Sequence, residues 1–314
     1  MRKASQLFIL IILTGSFLFA ESAVSAKVFF NHTLGLGEDG VNAFNMKRAY
    51  LTYANTVNES VSYKVTYDMG NNSAGSAHTA FLKVAMLKWK TNLGNMMIGM
   101  QGMNMFKTME NTWGHRFIAK MPMDTYGYSA SADLGVGLSR TFGPVSASGL
   151  ITNGGGYKSA ESDEFKKVSI HAVYGESQLN KNDGFNIGTS FSMEPYETAE
   201  DQKENTTVIG AFAGYAGNGF RGGFEFDTKS RSDSDGQIIC AYGTYKVTDK
   251  LSVLARFDQA DIDKNAENDG IQAIIVGAHY NAAKGLIVAP TFRMTTPEVG
   301  DGENSIVVNL KFSF

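Results

Sequence analysis

The sequence predicts an all-β fold: a transmembrane antiparallel β-barrel of about sixteen strands, with a long third loop folded into its pore. Three observations predict it. Apolar and polar residues alternate with period two along most of the chain. The connections between these runs are short and long in turn, the pattern of hairpins that cross a bilayer. The sequence also ends inside an alternating run, with Ile306, Val308, Leu310, Phe312 and Phe314 on one parity and Val307, Asn309, Lys311 and Ser313 on the other. Such an end must be held in a sheet, and pairing it with the first strand leaves no open edge.

The elements follow in order. Arg2 and Lys3 precede an apolar run, Leu7 to Ala20, and Ala23-Val-Ser-Ala26 is a small-residue cleavage site. Residues 1–26 therefore read as a secretory signal peptide and 27–314 as the barrel domain. An N-terminal anchor is the alternative, but the run is short for a span. Sixteen alternating segments come next, at 28–36, 44–54, 61–69, 79–90, 95–103, 126–140, 145–152, 166–175, 185–193, 206–215, 220–227, 236–246, 251–259, 269–280, 286–294 and 305–314. Each is close to the length that a tilted strand needs to cross a membrane, roughly ten residues. Thr141–Pro144, Ala216–Gly219, Val247–Lys250 and Asn281–Gly285 read as tight turns. Asn153–Phe165, Glu194–Asn205, Thr228–Asp235, Ala260–Asn268 and Thr295–Asn304 read as long polar loops.

Only helices and closed barrels satisfy their backbone groups in lipid, so the apolar parity is expected to face lipid of a Gram-negative outer membrane. Phe312 and Phe314 would sit in the aromatic girdle at the periplasmic rim. A soluble sandwich or solenoid could bury the same face in protein, but no repeat of fixed length runs through the chain. A net charge of -3 gives no footprint for nucleic acid. Cys240 is the single cysteine, so no intrachain disulfide is expected.

A barrel of this size has a lumen too wide for side chains to fill. The polar parity places Arg48, Lys64, Lys83, Lys167, Arg221, Arg256, Arg293 and Lys311 on the inner wall. The acids sharing it are Asp133 and Glu225 at depth, with Asp68, Asp227 and Asp258 nearer the outer rim. An acidic protein with a basic lumen points to a passive channel for small hydrophilic solutes and ions, with a modest preference for anions. The longest connection, Asn104–Thr125, is the third long loop. Met105, Met109, Trp113 and Phe117 would cover one side of it. Lys107, His115, Arg116 and Lys120 would then face the pore as its constriction. An outward cap on the barrel mouth is the other possibility for this loop.

Four stretches, Phe44–Tyr53 (FNMKRAYLTY), Asn95–Phe106 (NMMIGMQGMNMF), Thr112–Lys120 (TWGHRFIAK) and Tyr128–Tyr157, together resemble the phosphate-selective porin O and P family. The resemblance implies a sixteen-stranded, homotrimeric outer-membrane channel whose third loop enters the pore. That family carries a dense arginine and lysine ladder. Here the third-loop cations are spread along the chain, which favours a passive porin over a phosphate specialist.

Other motifs lead elsewhere and are set aside. Gly35-Leu-Gly-Glu-Asp-Gly40 matches a dinucleotide fingerprint, but a strand follows it where a helix is needed. Asp261, Asp263, Asn265 and Glu267 resemble the start of a calcium loop, with Ala266 where glycine belongs and Gln272 where the closing glutamate belongs. The five histidines show no metal spacing. Ser169 and His171 share a face, but residues two apart on a strand are too distant for direct proton transfer. No cofactor and no enzyme activity are expected. A plugged structural or adhesin barrel and an outer-membrane hydrolase are the readings from other classes.

Overall fold

The structure is a computed structural model that describes residues 22–70, 78–232 and 234–314. Sixteen strands run in chain order: β1 (Ser22–Gly35), β2 (Asn42–Thr56), β3 (Val61–Gly70), β4 (Thr79–Thr91), β5 (Gly94–Gly102), β6 (Ala132–Phe142), β7 (Val145–Thr152), β8 (Lys167–Gly175), β9 (Gly184–Glu197), β10 (Lys203–Gly217), β11 (Phe220–Arg231), β12 (Ser234–Lys246), β13 (Leu251–Asp261), β14 (Ile271–Ala283), β15 (Leu286–Pro297) and β16 (Glu303–Ser313). Each pairs antiparallel with its neighbours in sequence, and β16 pairs with β1 to close the barrel. The last strand is held on both sides, and its Phe314 exchanges backbone hydrogen bonds with Ala26.

The terminal strand also resolves its two faces. Ile306 and Phe312 are exposed on the outside, while Val307 and Asn309 are buried inside. Asn309 is inward but not wet: it donates to Ala289 O at 3.0 Å and accepts from Arg293 at 3.0 Å. A cation on the outer face at mid-membrane costs about 2–4 kcal/mol. Leu310→Arg should therefore cut the yield of folded barrel in lipid, whereas Lys311→Gln, on the inner face, should not. The heat-modifiable shift on gel electrophoresis reads both.

The β1–β16 register starts at Lys27↔Ser313 and runs to Gly35↔Ser305. Residues Ser22–Ala26 extend β1 along β2, with Ala26 also bonded to Phe314. Leu7–Ala20 lies outside the described residues.

Three sequence expectations are corrected. Residues 126–131 belong to the returning third loop, not to a strand; the Tyr128 and Ser129 amides both donate to Met123 O. Thr228–Asp235 is no long loop, because β11 and β12 continue pairing to Arg231↔Ser234. Glu194–Asn205 likewise shrinks, as β9 reaches Glu197 and β10 starts at Lys203. Above the lipid both faces meet water, so hairpins continue in polar residues and lose the alternation that marks them.

Two bulges matter for the lumen. The β1–β2 register slips at Lys47 and the β3–β4 register at Lys83, each leaving an extra lysine unpaired. A bulge breaks the alternation of faces and re-aims a side chain. At β4 it lets Lys83 join Arg48 inside the barrel.

Candidate functional site

The third loop, 103–131, carries two short helices, α1 (Lys107–Trp113) and α2 (Pro122–Thr125). It folds into the barrel. Met105, Met109, Trp113, Met121 and Met123 are all fully buried and form the main apolar core of the molecule. Burying a side chain of that size contributes about 1.5–3 kcal/mol, so the loop gains a packed core that an outward cap would lack. Gly114 ends α1 at φ 71°, in the left-handed region that favours glycine.

The loop is fastened to one half of the wall. Ser148 (β7) and Ser169 (β8) hold Asn104, and the Ser190 hydroxyl (β9) donates to Met105 O. His171 (β8) bonds Thr108 at 2.8 Å, Tyr242 (β12) donates to Met109 O at 3.1 Å, and Arg221 (β11) donates to Trp113 O at 3.2 Å. Arg293 (β15) donates to Ile118 O at 2.8 Å, and Lys311 (β16) lies 5.5 Å from the Phe117 ring. Arg256 (β13) makes a bidentate pair with Asp258 and sits 5.4 Å over Trp113.

This divides the expected pore-lining set. Lys167, Arg221, Glu225, Arg256, Arg293 and Lys311 do point inward, but all except Lys167 lie on β11–β16, where the loop docks. Lys167 is paired with Glu194 at 2.9 Å, and Glu225 is fully buried. Asp133 is also corrected: it is buried, and it accepts from the Leu134 and Gly154 amides at 2.8 and 2.6 Å. Ser169 and His171, weighed as catalytic groups, have their polar atoms engaged by the loop and by Ser190. For the residues that meet the third loop the physical reason is common. Period two says which residues point inward, but not which inward residues the folded loop will cover.

The remaining inward cations lie on β2–β4. Lys64 is exposed to the lumen. Arg48 and Lys83 both approach Asp68, at 3.4 and 3.5 Å, and the Tyr157 hydroxyl donates to the same carboxylate at 2.7 Å. Facing this strip the loop presents Lys107, Arg116 and Lys120. His115 is corrected: it is buried, bonded to Thr244 at 3.0 Å, and turned away from Lys107, Arg116 and Lys120, toward a separate cavity of about 340 Å3 that it lines with Arg221 and His279. Burial first, then the charges of Arg221, His279 and Lys311, push its imidazole well below the ordinary histidine range.

The loop cations are not alone. Glu110 accepts from Lys107 at 2.7 Å and from Arg116 at 2.9 Å, and Asp124 accepts from Arg116 at 2.9 Å and Lys120 at 3.4 Å. Both acids escaped the sequence reading. Their i,i+3 and i,i+4 spacing from Lys107 and Lys120 is the signal that could have found them. Burial works to raise Glu110, but the charges of Lys107, Arg116 and Lys83 outweigh it and hold the carboxyl below its ordinary value. Glu110 therefore stays ionised until pH falls below the usual carboxylate range, and protonation then frees Arg116 and Lys107. Any anion preference should rise on acidification, with the Glu110 share of the rise arriving late. Reversal potentials from pH 7 down to about 3 in wild type and Glu110→Gln would separate that share.

Three solved barrels place this geometry. The anion-selective porin from Comamonas acidovorans superimposes with a TM-score of 0.72 at 11% identity, covering 94% of this chain and 100% of that one. The fold is that of the sixteen-stranded porins. OmpF of Salmonella typhi, in complex with daunomycin, gives a TM-score of 0.71 at 13% identity over 94% and 98% of the two chains. The trimer form of OmpT from Vibrio cholerae gives 0.65 at 12% identity over 94% and 99%. No protein-family model and no curated relative matches the sequence. Among the described residues no group of three histidine, cysteine or acidic side chains could hold a metal ion, the 260–268 loop included.

Proposed function

We propose that this porin-fold chain is a passive diffusion channel of a bacterial outer membrane for small hydrophilic solutes and ions, with a modest anion preference. One observation carries the reading: the third loop folds into a sixteen-stranded barrel and is fastened to its β7–β16 wall, so that Arg116 and Lys120 of the loop stand with Arg48 and Lys158 around one polar cavity. Arg48, Lys64, Lys83, Lys107, Arg116, Lys120 and Lys158 are the cations on that side of the loop, against Asp68, Glu110 and Asp124. An excess of fixed positive charge in a confined channel raises the local concentration of anions. The Comamonas barrel of the same fold is itself described as anion-selective, which favours the same sign here. Reversal potentials across a planar bilayer in a potassium chloride gradient test the reading. Chloride should permeate faster than potassium; a cation-selective wild type would overturn the anion preference, and a barrel without conductance would overturn the channel.

The mature chain is proposed to be 27–314, on the small-residue cleavage site Ala23-Val-Ser-Ala26; mass spectrometry of the exported protein checks it. A homotrimer is proposed because one barrel of this fold is described in trimer form. The narrower resemblance to porins O and P would make phosphate the solute. Against strong phosphate selection stands the pairing of Arg48, Arg116 and Lys120 with carboxylates. A channel remains the preferred class over a hydrolase, since Ser169 and His171 serve the loop.

A further inference from the structure

The cavity beside His115 measures about 340 Å3, within the roughly 300–1,000 Å3 of small-molecule sites and far more than a single water needs. His115 of the third loop lines it together with Arg221, Thr244, Ser252 and His279 of the wall. Gly219 and Asp249, from two of the tight turns, place it at the turn-side mouth of the barrel.

The hydrogen bonds assign the tautomers of its two imidazoles. Arg221 Nη2 can only donate, so His115 Nε2, 3.3 Å away, is an acceptor, and it takes the Thr244 hydroxyl at 3.0 Å as well. The ring is neutral, since burial and the adjacent guanidinium oppose a second proton. Its one proton therefore sits on Nδ1, which is buried and has no partner among the described residues. His279 is the reverse. Its Nε2 lies 3.2 Å from Asn281 Oδ1, which only accepts, so in the neutral ring Nε2 carries the proton and Nδ1 is an acceptor. The two rings stand edge to face with centroids 5.1 Å apart. Arg221 Nε is a further buried donor without a partner among the described residues. Unused donors and an unused acceptor thus meet at one end of the cavity.

The charges on the lining nearly cancel. Lys246 pairs with Asp249 at 2.7 Å, and Lys181 is matched in number by Asp183 on the same connection. Arg221 is the charge left over, and its Nη2 is already given to Trp113 O and His115. Such a lining does not select an ion. A hydroxyl group does suit it, because one oxygen can accept from His115 Nδ1 or Arg221 Nε and donate to His279 Nδ1. Leu179 and Ala216 add an apolar surface for the carbon skeleton.

We propose that this cavity binds a neutral polyhydroxyl solute of monosaccharide size, with one hydroxyl bridging His115 and His279. It deepens the channel reading by naming a solute class held at the turn-side mouth, and it rests on that reading only for how the solute arrives. Affinity is weak, about millimolar, since each hydrogen bond to the solute replaces one to water.

Saturation-transfer NMR on the detergent-folded full chain, titrated with glucose, tests the site without relying on conduction. A saturable signal is expected, and added potassium chloride should leave it unchanged, because screening acts on charged ligands. His279→Phe keeps a ring beside His115 and Phe117 but removes the acceptor, and should weaken glucose binding by roughly fivefold or more. His279→Gln, which restores an acceptor, should recover part of that loss. Ser252 lies opposite His279 on β13, so Ser252→Leu fills the cavity from a second strand and should weaken binding too. His32→Phe, on β1 and outside the cavity, should change nothing. The heat-modifiable gel shift confirms that each variant is folded. No saturable signal in the wild type, a signal that potassium chloride abolishes, or equal affinities for folded His279→Phe and His32→Phe would overturn the proposal. A barrel that binds glucose but passes no ions would sink the channel reading and leave the site standing.

Discussion

Arg256→Met is expected to destabilise the barrel by about 3–5 kcal/mol and to loosen the third loop, the cost of breaking a buried ion pair from one side. Arg256 is buried, and its Nε and Nη2 donate to Asp258 at 2.7 to 3.0 Å. Without the guanidinium, Asp258 loses its partner, and Glu225, fully buried with no hydrogen-bond partner, remains beneath the loop. The same change removes the cation over Trp113, whose ring is the centre of the loop's core. Urea unfolding in detergent should show the loss, and emission from Trp113 should shift to the red; Trp89, already exposed, should contribute little to the shift. Single-channel current should become larger and noisier as the loop leaves its seat. Arg256→Met with Asp258→Leu removes both charges and should recover most of the stability, because an apolar pair of similar size replaces a buried ion pair at little cost. Equal losses in the single and double variants would show that packing on Trp113, not the uncompensated charge, holds the loop.

The second large effect concerns the sign of selectivity. Lys64→Glu with Lys107→Glu is expected to turn the anion preference into a cation preference, moving the permeability ratio by about tenfold. Both side chains are solvent-exposed, one on the wall strip and one on the loop, so substitution changes charge with little repacking. Among the four loop residues that the sequence places at the constriction, Arg116→Glu with Lys120→Glu is the alternative pair. The structure argues against it. Arg116 bridges Glu110 and Asp124, and two new glutamates there would crowd four carboxylates onto one stretch of the loop. Its geometry would change along with its charge, and the result could not be read as electrostatics alone. Reversal potentials for both double variants, beside the wild type, compare the two sites. A Lys64/Lys107 variant that still prefers anions would place the selective charge elsewhere, in Arg48, Lys83 and Lys158.

Much of the barrel was legible because lipid imposes a rule that a sequence must write out. Each crossing strand needs one apolar face, so Val61, Val65 and Tyr67, or Ile306 and Phe312, advertise both the strand and its outward parity. The loop's inward fold was legible from Met105, Met109 and Trp113, which have no place in water. Beyond the membrane band the rule lapses, and the extensions of β9, β11 and β12 went unread for that reason.

The sequence by itself determined the strand number, the closure of β16 on β1, the lipid face and the excess of inward-facing cations, since all of these follow from local periodicity. Only the tertiary structure decided which of those cations do electrostatic work in the passage. Arg221, Arg256 and Arg293 share the parity of Arg48 and Lys64, yet the loop docks on them. The meeting of Lys158 with Arg48 and Arg116 around one cavity was likewise settled in space. Contacts between residues a hundred positions apart leave no period in the chain; they depend on the hand of the barrel and on the surface against which one long loop buries its core.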